Sequence, residues 1–548
     1  MLKFTGKGVY GAVAIGYVSI FERRGCQAER LTVTDTEAEL KRLNAAKETA
    51  KEQLEDIYEK ALREAGETNA QVFEIHMMML EDEDYNDAIV DIIRTQNVNA
   101  EYAVAVASKK FSEMFSSMED SYMSARAADV TDISNRLIAC LTKTCDDKLL
   151  TDEKAIICAD DLAPSETVSL DKEKILAFAT ADGSVNSHTA ILARNMNIPA
   201  VIGLGAEFLK TVKNGDVAIV DGFTGEFIID PDEATLTVYR GKQQEESDKR
   251  KLLESLSGKE NITLDGTSVN IFANIGNVDN IGAALMNDAG GIGLFRSEFL
   301  YLQRTDYPSE EEQLSAYKKV LESLSPKKVI IRTLDIGADK RVDYFRLEKE
   351  ENPALGLRAI RLCLERPEIF KTQLRALYRA SVYGNLSIMF PMIASQKELS
   401  EVLLLCDQVK VELKDRGQSF ADVETGIMIE TPAAAIISDK LASMVDFFSI
   451  GTNDLTQYTL ACDRQNPRLE RFCDEHHEAV LRLIELTIKN AHANGIWVGI
   501  CGELAANTAL TEKFLKMGID ELSVSPPFVL KIRDVVRKTD LKNGSNFK

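Results

Sequence analysis

The stretch TGIMIETPAAAIISDKLASMVDFFSIGTND, residues 425–454, decides how the C-terminal half of this chain is interpreted. It holds two short apolar segments, TGIMIE and FFSIGTND, with a longer helix-like segment between them, which is the pattern of a strand–helix–strand unit. Each apolar segment ends in an acidic residue, Glu430 or Asp454. This one stretch therefore contains both the pattern that indicates the fold and two residues that are candidates for the chemistry.

The same alternation continues in both directions from about Asn261 to the C-terminus. The candidate strands are VNIFANI (269–275), GIGLFRS (291–297), KVIIRTLD (328–335), LSIMFPMI (386–393), TGIMIE (425–430), FFSIGTND (447–454), IWVGICGE (496–503) and ELSVSP (521–526). Eight strands in about 285 residues predict a (β/α)8 barrel, in which the C-terminal ends of the strands carry the active site. Most of these strands end in polar or reactive residues, namely Arg296, Arg332, Glu430, Asp454 and Cys501.

The N-terminal half has a different pattern. Residues 1–34 begin with short strands and glycine turns, and residues 35–149 are helical in periodicity and contain no proline. Residues 150–231 hold short β-rich segments and one helix that begins near His188. We therefore predict a small α/β domain from 1–34 plus 150–231, an inserted helical subdomain at 35–149, a charged linker helix at 232–261 and the barrel at 262–548.

Composition excludes several classes of protein. A chain of 548 residues is long enough for three or four domains. Its formal net charge of -22 opposes binding to nucleic acid and to anionic membranes. The sequence has no apolar segment long enough to cross a bilayer and no signal-peptide core, so we expect a cytoplasmic protein. The nine cysteines form no CxxC pair, which argues against a disulfide framework or a zinc site.

Arginines at the predicted barrel mouth are candidates for binding phosphate. Arg296 and Arg332 end consecutive strands, and Arg358 and Arg464 are further candidates. A guanidinium group binds phosphate oxygens in pairs. A single arginine at a strand end is usually in a surface salt bridge, and four that converge are harder to explain in that way.

Glu430 and Asp454 are candidate Mg2+ ligands, because magnesium takes few protein ligands and keeps water. The alternative is a pair of carboxylates that only neutralises the arginines. Without the candidate phosphate-binding arginines, the two interpretations would be equally supported. Cys501 is a candidate proton donor at the barrel mouth. Most cysteines of the chain are expected to be buried apolar residues, so Cys501 alone is weak support.

The stretch GSVNSHTAILAR, residues 183–194, places His188 where a turn leads into a helix. Backbone N–H groups at a helix start favour anions, and an unprotonated imidazole there can act as a nucleophile. The alternative is a helix cap by Ser187 with a surface histidine beside it, and spacing alone favours that alternative. His76, in the helical region, is expected to face a partner or solvent.

Several passages, read together, carry a resemblance to a known family. They are residues 126–130 (RAADV), 183–194, 291–298 (GIGLFRSE), 331–337 (IRTLDIG), 352–361, 426–430 with 432–435, 446–458 (DFFSIGTNDLTQY) and 501–503 (CGE). In their order and spacing the chain resembles the phosphoenolpyruvate-protein phosphotransferases, the enzyme I family, over essentially its full length. Pyruvate phosphate dikinase and phosphoenolpyruvate synthase share similar motifs.

The resemblance implies roles for the candidates. His188 would be the residue that is phosphorylated, and Cys501 would protonate the enolate to give pyruvate. Phosphoenolpyruvate would be bound by Arg296, Arg332, Arg358, Arg464, Asn453 and Asp454. Glu430 and Asp454 would bind Mg2+. The helical subdomain would dock the phosphocarrier protein HPr, and the barrel would form a homodimer.

The chain departs from the family pattern at a few positions. Ser184 and Asn186 replace a glycine and a threonine before His188, and Ala338 replaces a common glycine. Ser297 and Glu478 replace a common threonine and proline. The changes near His188 leave the turn geometry and the transfer rate open.

Three alternatives are weighed against this assignment. A dikinase or synthase needs a nucleotide-binding domain before the histidine domain, and the mostly helical residues that precede it contain no Gly-rich phosphate loop. A non-catalytic scaffold is supported by the altered turn and opposed by the retained arginines, carboxylates and Cys501. A nitrogen-type paralogue would carry an additional N-terminal sensor domain.

Overall fold

A computed structural model describes most of the chain. The described residues are 1–21, 28–65, 67–117, 121–143, 154–162, 166, 170, 174–183, 187–196, 198–302, 304–337, 342–464 and 466–542. They divide into two compact units, Met1–Lys249 and Arg250–Lys548. No helix in the described part of the chain is both long and apolar enough to span a membrane.

The first unit contains a mixed eight-stranded sheet. Its strands are β1 (Leu2–Thr5), β2 (Lys7–Tyr10), β3 (Val13–Ile20), β4 (Ala155–Ala159), β5 (Ile175–Thr180), β6 (Ala200–Ile202), β7 (Val217–Asp221) and β8 (Glu226–Ile229), in the order β1-β8-β7-β3-β4-β5-β6-β2. Strand β3 lies between β7 and β4, so the prediction that N-terminal strands complete this sheet is confirmed. Strand β8 was not predicted from the sequence.

The described residues between β3 and β4 are mainly helical, as their periodicity predicts. Its helices are α1 (Thr36–Ala65), α2 (Glu67–Glu81), α3 (Glu83–Gln96), α4 (Ala100–Ser116) and α5 (Ser121–Thr142). Apolar residues of these helices form one core of their own, which includes Phe73, Ile89 and Leu137. The interpretation of His76 was wrong: the imidazole is buried, with Nε2 3.2 Å from Asp129 Oδ1, so it faces neither a partner nor solvent.

Further helices in the described residues between β5 and the barrel follow. They are α6 (His188–Met196), α7 (Ala206–Thr211) and α8 (Glu233–Glu254). Helix α8 forms where the charged linker helix was predicted, and the boundary between the two units falls within it. Leu236 and Tyr239 near its start are buried, whereas the charged second half is mostly exposed.

The second unit contains a closed barrel of eight parallel strands, and all eight predicted strands are present. They are β9 (Asn270–Ile275), β10 (Ile292–Arg296), β11 (Lys328–Arg332), β12 (Asn385–Phe390), β13 (Glu424–Ile429), β14 (Phe447–Ile450), β15 (Trp497–Ile500) and β16 (Glu521–Val524). The fold class is therefore confirmed. Each strand pairs with its neighbour in the chain, and β16 closes the barrel onto β9.

Helices surround the barrel. They are α9 (Ile281–Met286), α10 (Glu310–Leu324), α11 (Ile360–Glu365), α12 (Pro367–Ala380), α13 (Gln396–Asp415), α14 (Pro432–Ile436), α15 (Ser438–Leu441), α16 (Thr452–Leu460), α17 (Glu478–Ala493), α18 (Thr508–Met517) and α19 (Val529–Lys538). Their apolar faces and the outer faces of the strands form the largest core.

The inside of the barrel is a packed core. Leu294, Ile330, Met389, Met428, Phe447 and Cys501 form it, with the Trp497 ring stacked on Phe447 at 4.6 Å between ring centres. This packing fills the barrel and leaves the polar residues that follow the strands at its C-terminal end. The candidate site therefore lies above a packed apolar layer.

Candidate active site

Arg332 is the centre of a buried charge cluster at the C-terminal end of β11. Its guanidinium group forms an ion pair with Glu298, and Nη1 lies 2.9 Å from Asp335 Oδ2. Burial lowers the pKa of Arg332, but Glu298, Asp335 and Glu430 together raise it above its ordinary value. The side chain therefore remains a cation in the barrel mouth.

Arg358 reaches the same cluster from the loop before α11. Its Nη2 lies 2.9 Å from Asp335 Oδ1 and 3.9 Å from Asp454 Oδ2. Burial opposes the charge of Arg358, yet Asp335 and Asp454 raise its pKa. Asp335 thus bridges two buried arginines and holds them side by side.

Both buried arginines keep a donor unused. The Nε atoms of Arg332 and Arg358 are buried and have no hydrogen-bond partner within the described ranges. A buried donor without a partner costs free energy, so such atoms indicate a ligand that supplies acceptors. An oxyanion in the barrel mouth would supply them.

The other two predicted arginines are exposed. Arg296 ends β10 and pairs in register with Arg332, as predicted. Arg464 lies in the turn after α16, where its Nε is 3.6 Å from Asp454 Oδ1. All four predicted arginines therefore belong to the barrel mouth, two of them as buried cations and two at its rim.

Glu430 and Asp454 act on each other electrostatically, but they belong to different kinds of element. Glu430 directly follows β13 and is buried, and its Oε1 accepts a hydrogen bond of 2.6 Å from the Met392 N–H. The prediction that Asp454 ends a strand was wrong, because β14 ends at Ile450 and Asp454 lies in the first turn of α16. The helix turn carries the carboxylate back over the barrel mouth.

The electrostatics of Glu430 favour a cation ligand. Burial, followed by the charges of Asp454 and Asp335, raises the pKa of Glu430 to about 8, although Arg332 opposes the shift. Acidic groups this close repel one another until a cation binds between them. Within the described residues there is no group of three or more His, Cys, Asp or Glu side chains that could hold a metal ion. Glu430 and Asp454 offer two carboxylates, which are ligands of the kind that hard cations take.

Cys501 directly follows β15 and is buried beneath the barrel mouth. Its Sγ lies 3.7 Å from the Ile450 carbonyl oxygen. Burial raises the pKa of the Cys501 thiol to about 12, with Glu521 and Glu430 adding to the shift and Ser449 and Arg332 opposing it. The group is therefore a thiol, the form that a proton donor requires.

Asn453 connects two parts of the site. Its Nδ2 donates to Glu503 Oε1 at 2.8 Å, and its Oδ1 accepts from the Glu503 N–H at 2.8 Å. This reciprocal pair fastens the first turn of α16 to the turn that follows Cys501. The side chain amide of Asn453 is thus used to hold the site in shape.

His188 lies in the first unit, at the first position of α6. Ser187 caps this helix, since its Oγ accepts from the Ala190 N–H at 3.4 Å. The side chain of His188 and residues Ser184 and Asn186 lie outside the part of the structure that is described, as does Ala338. The assignment of His188 as the acceptor therefore stays a prediction.

Sequence reasoning missed two members of the site. Glu298 and Asp335 hold Arg332, and Asp335 also holds Arg358. Both lie in quoted motifs, two residues after Arg296 and three after Arg332. Their closeness to a strand-end arginine was the signal available in the sequence.

Comparisons with known proteins agree with this architecture. Family models for PEP-utilising enzymes match residues 5–126 (N-terminal), 151–225 (mobile domain) and 250–541 (PEP-binding domain). The chain belongs to the phosphoenolpyruvate-protein phosphotransferase family. Its members are enzymes, and PEP-utilising enzymes are generally metal-dependent.

Two relatives illustrate the extent of the match. The phosphoenolpyruvate-protein phosphotransferase of Priestia megaterium is 43% identical over 98% of this chain and 94% of its own length. That of Geobacillus stearothermophilus is 44% identical over 99% of this chain and 94% of its own length. An NMR solution structure of Enzyme I is 34% identical over 44% of this chain and 99% of its own, with a TM-score of 0.38, which is too low to carry an argument.

Proposed function

We propose that this enzyme transfers the phosphoryl group of phosphoenolpyruvate to its own His188, releases pyruvate, and passes the phosphoryl group to a histidine of HPr. This is the first step of the sugar phosphotransferase system. The observation that carries the proposal is the pair of buried arginines, Arg332 and Arg358, beside the carboxylates of Asp335 and Asp454. Among the described residues, the Nε donors of both arginines have no hydrogen-bond partner. Membership of the family supports the choice of phosphoenolpyruvate as the donor.

Binding in this scheme depends on the cations. Arg332 and Arg358 offer their unused donors to the phosphate and carboxylate oxygens of the substrate, and Arg296 and Arg464 reach it from the rim. Positioning and charge neutralisation dominate the transfer of a phosphoryl group. Glu430 and Asp454 would hold Mg2+, which would supply further positive charge against the phosphoryl oxygens.

The chemical step uses two groups of this chain. A neutral ring nitrogen of His188 attacks the phosphorus, so an N–P bond forms as the P–O bond to the enolate breaks. The enolate carbon then takes the proton of the Cys501 thiol, which gives pyruvate and a thiolate that water must reprotonate. Because burial keeps Cys501 protonated, the donor is ready when the enolate forms.

Transfer to the carrier requires that the His188 domain leaves the barrel. The charged second half of α8 would permit this movement between residues 1–231 and the barrel at 262–548. The acidic chain, with a net charge of -22, favours a carrier with a basic docking face, which we assign to the helical subdomain at 35–149. A homodimer through the barrel and a cytoplasmic location also belong to the proposal.

The test is incubation of the purified chain with labelled phosphoenolpyruvate, Mg2+ and HPr. We expect label on His188 and then on HPr, with release of pyruvate, and no label on the His188→Ala variant. His492→Ala is the matched control, since His492 is a surface histidine whose Nε2 lies 2.9 Å from Asp520 and whose side chain is not part of the candidate site. Labelling of the His188→Ala variant on another residue would refute the acceptor, and labelling from ATP would indicate a dikinase or synthase.

A further inference from the structure

Glu521 is a buried carboxyl group inside the barrel that the proposed mechanism leaves without a role. It is the first residue of β16 and is 1% exposed. Its Oε1 accepts a hydrogen bond from the Ser523 hydroxyl, whereas its Oε2 has no partner within the described residues. An acidic group in a barrel core is costly to retain, so its position calls for an explanation.

Two glycines make room for this carboxyl group. Gly499 of β15 pairs in register with Glu521, and a Cβ atom at Gly499 would lie 1.9 Å from Glu521 Oε2. A Cβ atom at Gly293 of β10 would lie 2.7 Å from Glu521 Oε1. The carboxyl group therefore occupies the volume that these two positions leave free inside the barrel.

This location is directly below Cys501. Residues two apart on a strand face the same side, so Cys501 stands above Gly499 on the inner face of the barrel. Ser449 of β14 pairs in register with Gly499 from the other side. Glu521, Ser449 and Cys501 thus surround the gap that Gly499 leaves.

The charges in this region connect the two groups. Burial raises the pKa of Glu521 to about 8, although the Ser523 hydroxyl and Lys328 oppose the shift. Besides Glu521, the groups that act on Cys501 are Ser449, Arg332 and Glu430. The Glu521 carboxyl is therefore neutral near pH 7 and ionises in mildly alkaline solution.

We propose that Glu521 is a positioning residue that controls how readily the Cys501 thiol gives up its proton. A neutral carboxyl below the sulfur tolerates the negative charge that appears when Cys501 donates, whereas a carboxylate there opposes it. The proton that reaches the enolate is still that of Cys501, and Glu521 transfers none. This inference rests on the proposed function only for the statement that Cys501 is the proton donor.

The first test measures the thiol without substrate. The rate of Cys501 alkylation by iodoacetamide is followed between about pH 7 and pH 11 through mass spectrometry of the tryptic peptide Asn490–Lys513, in which Cys501 is the one cysteine. At alkaline pH we expect Glu521→Gln to react severalfold faster than the unaltered chain, because removal of the carboxylate lets the thiolate form at lower pH. Equal rates at every pH would overturn the proposal.

A matched variant separates this effect from a general loss of charge. Asp446, directly before β14, is exposed and accepts a hydrogen bond of 2.7 Å from the Thr425 N–H. Asp446→Asn removes one negative charge from the same barrel but leaves both the Glu521 carboxyl and Lys328 in place, so its alkylation profile is expected to match the unaltered chain. A shift in Asp446→Asn as large as in Glu521→Gln would overturn the assignment to Glu521.

The second test follows pyruvate release against pH. We expect the rate of the unaltered enzyme to fall above about pH 8, as Glu521 ionises, and the rate of Glu521→Gln to persist to higher pH. If Glu521→Gln does not fold, Ser523→Ala serves, because loss of the hydroxyl makes Glu521 ionise at higher pH and moves the fall in rate upward. Unchanged profiles would overturn the inference.

The two tests also separate this inference from the proposed function. A shift in alkylation of an enzyme that does not turn over phosphoenolpyruvate would leave the link between Glu521 and Cys501 standing and refute the function. Normal turnover of phosphoenolpyruvate with unchanged alkylation and pH profiles would leave the proposed function standing and refute the link between Glu521 and Cys501.

Discussion

At the scale of single residues, the barrel mouth holds charges that oppose one another. Asp335 forms ion pairs with two buried arginines. Glu430 is buried near other acidic groups, and its pKa is raised to about 8 as a result. Such an arrangement is unfavourable for an empty protein and suits one that binds an anion and a cation together. The residues that form the site are therefore expected to cost stability.

This cost predicts a dependence of stability on pH. A glutamate carboxyl group in the unfolded chain has a pKa of about 4.3. When folding raises this pKa, the group stays protonated in the folded protein at pH values where the unfolded chain has lost the proton. For Glu430, stability is thus expected to fall as pH rises from about 4.3 to about 8, by about 1.4 kcal/mol for each pKa unit. Glu521 adds to the same slope.

The measurement is thermal unfolding in the presence of a chelator from about pH 5 to pH 8.5. Glu430→Gln is expected to raise the unfolding temperature of the barrel at pH 8 and to reduce the change of unfolding temperature with pH. The double variant with Glu521→Gln is expected to reduce this change further. Asp415→Asn, at an exposed position at the end of α13, is the control. A slope that is the same in all variants would contradict the assigned protonation of Glu430.

At the scale of elements, the site depends on how α16 meets the turn after β15. Gly502 has no space for a side chain, since a Cβ atom there would lie 1.9 Å from Thr452 Oγ1 and 2.6 Å from the Thr452 backbone nitrogen. Thr452 begins α16, which carries Asn453 and Asp454. Close contact at this glycine therefore sets the distance between Cys501 and the carboxylate of Asp454.

Gly502→Ala is expected to separate these two elements. Overpacking of this kind costs about 1–3 kcal/mol, and we expect pyruvate formation to fall by at least about tenfold because both the carboxylate and the thiol move. Gly282→Ala is the control, because a Cβ atom at this position of α9 has nothing within 4 Å. An active Gly502→Ala variant with unchanged KM for phosphoenolpyruvate would show that the turn adapts.

At the scale of the whole molecule, the chain is two units joined through α8. Each unit has cores of its own: the first is built on the α/β sheet and the five-helix region, and the second on the barrel. His188 belongs to the first unit, and the barrel-mouth residues belong to the second. The division into units with separate cores predicts that each unit has a stability of its own.

We expect two unfolding transitions in calorimetry, one for each unit. Phe178→Ala in the sheet and Phe295→Ala in the barrel each truncate a fully buried side chain, which costs about 3–5 kcal/mol. Each variant should lower the temperature of one unfolding transition and leave the temperature of the other unchanged. If both transitions shift together in either variant, the units unfold as one and the division is wrong.

Much of this architecture could be predicted from local pattern. Eight apolar segments with strand spacing gave the barrel, and the absence of proline with helical periodicity gave the region before β4. Patterns of this kind work because burial on one face of a strand or helix leaves a periodic trace in the sequence. Arg296, Arg332 and Glu430 were found in the same way, as polar residues at the ends of apolar strands.

Contacts between distant residues left no such trace. Three contacts join residues that are far apart in the chain or lie on faces that periodicity cannot distinguish. They are the ion pairs of Asp335 with two arginines, the buried contact of His76 with Asp129, and the position of Glu521 in the space left by Gly499. The sequence by itself determined the order of elements and the residue types at the strand ends, because local hydrophobicity and motif spacing encode both. The tertiary structure alone decided which charges are buried together, because that depends on how closely the closed barrel brings its strands.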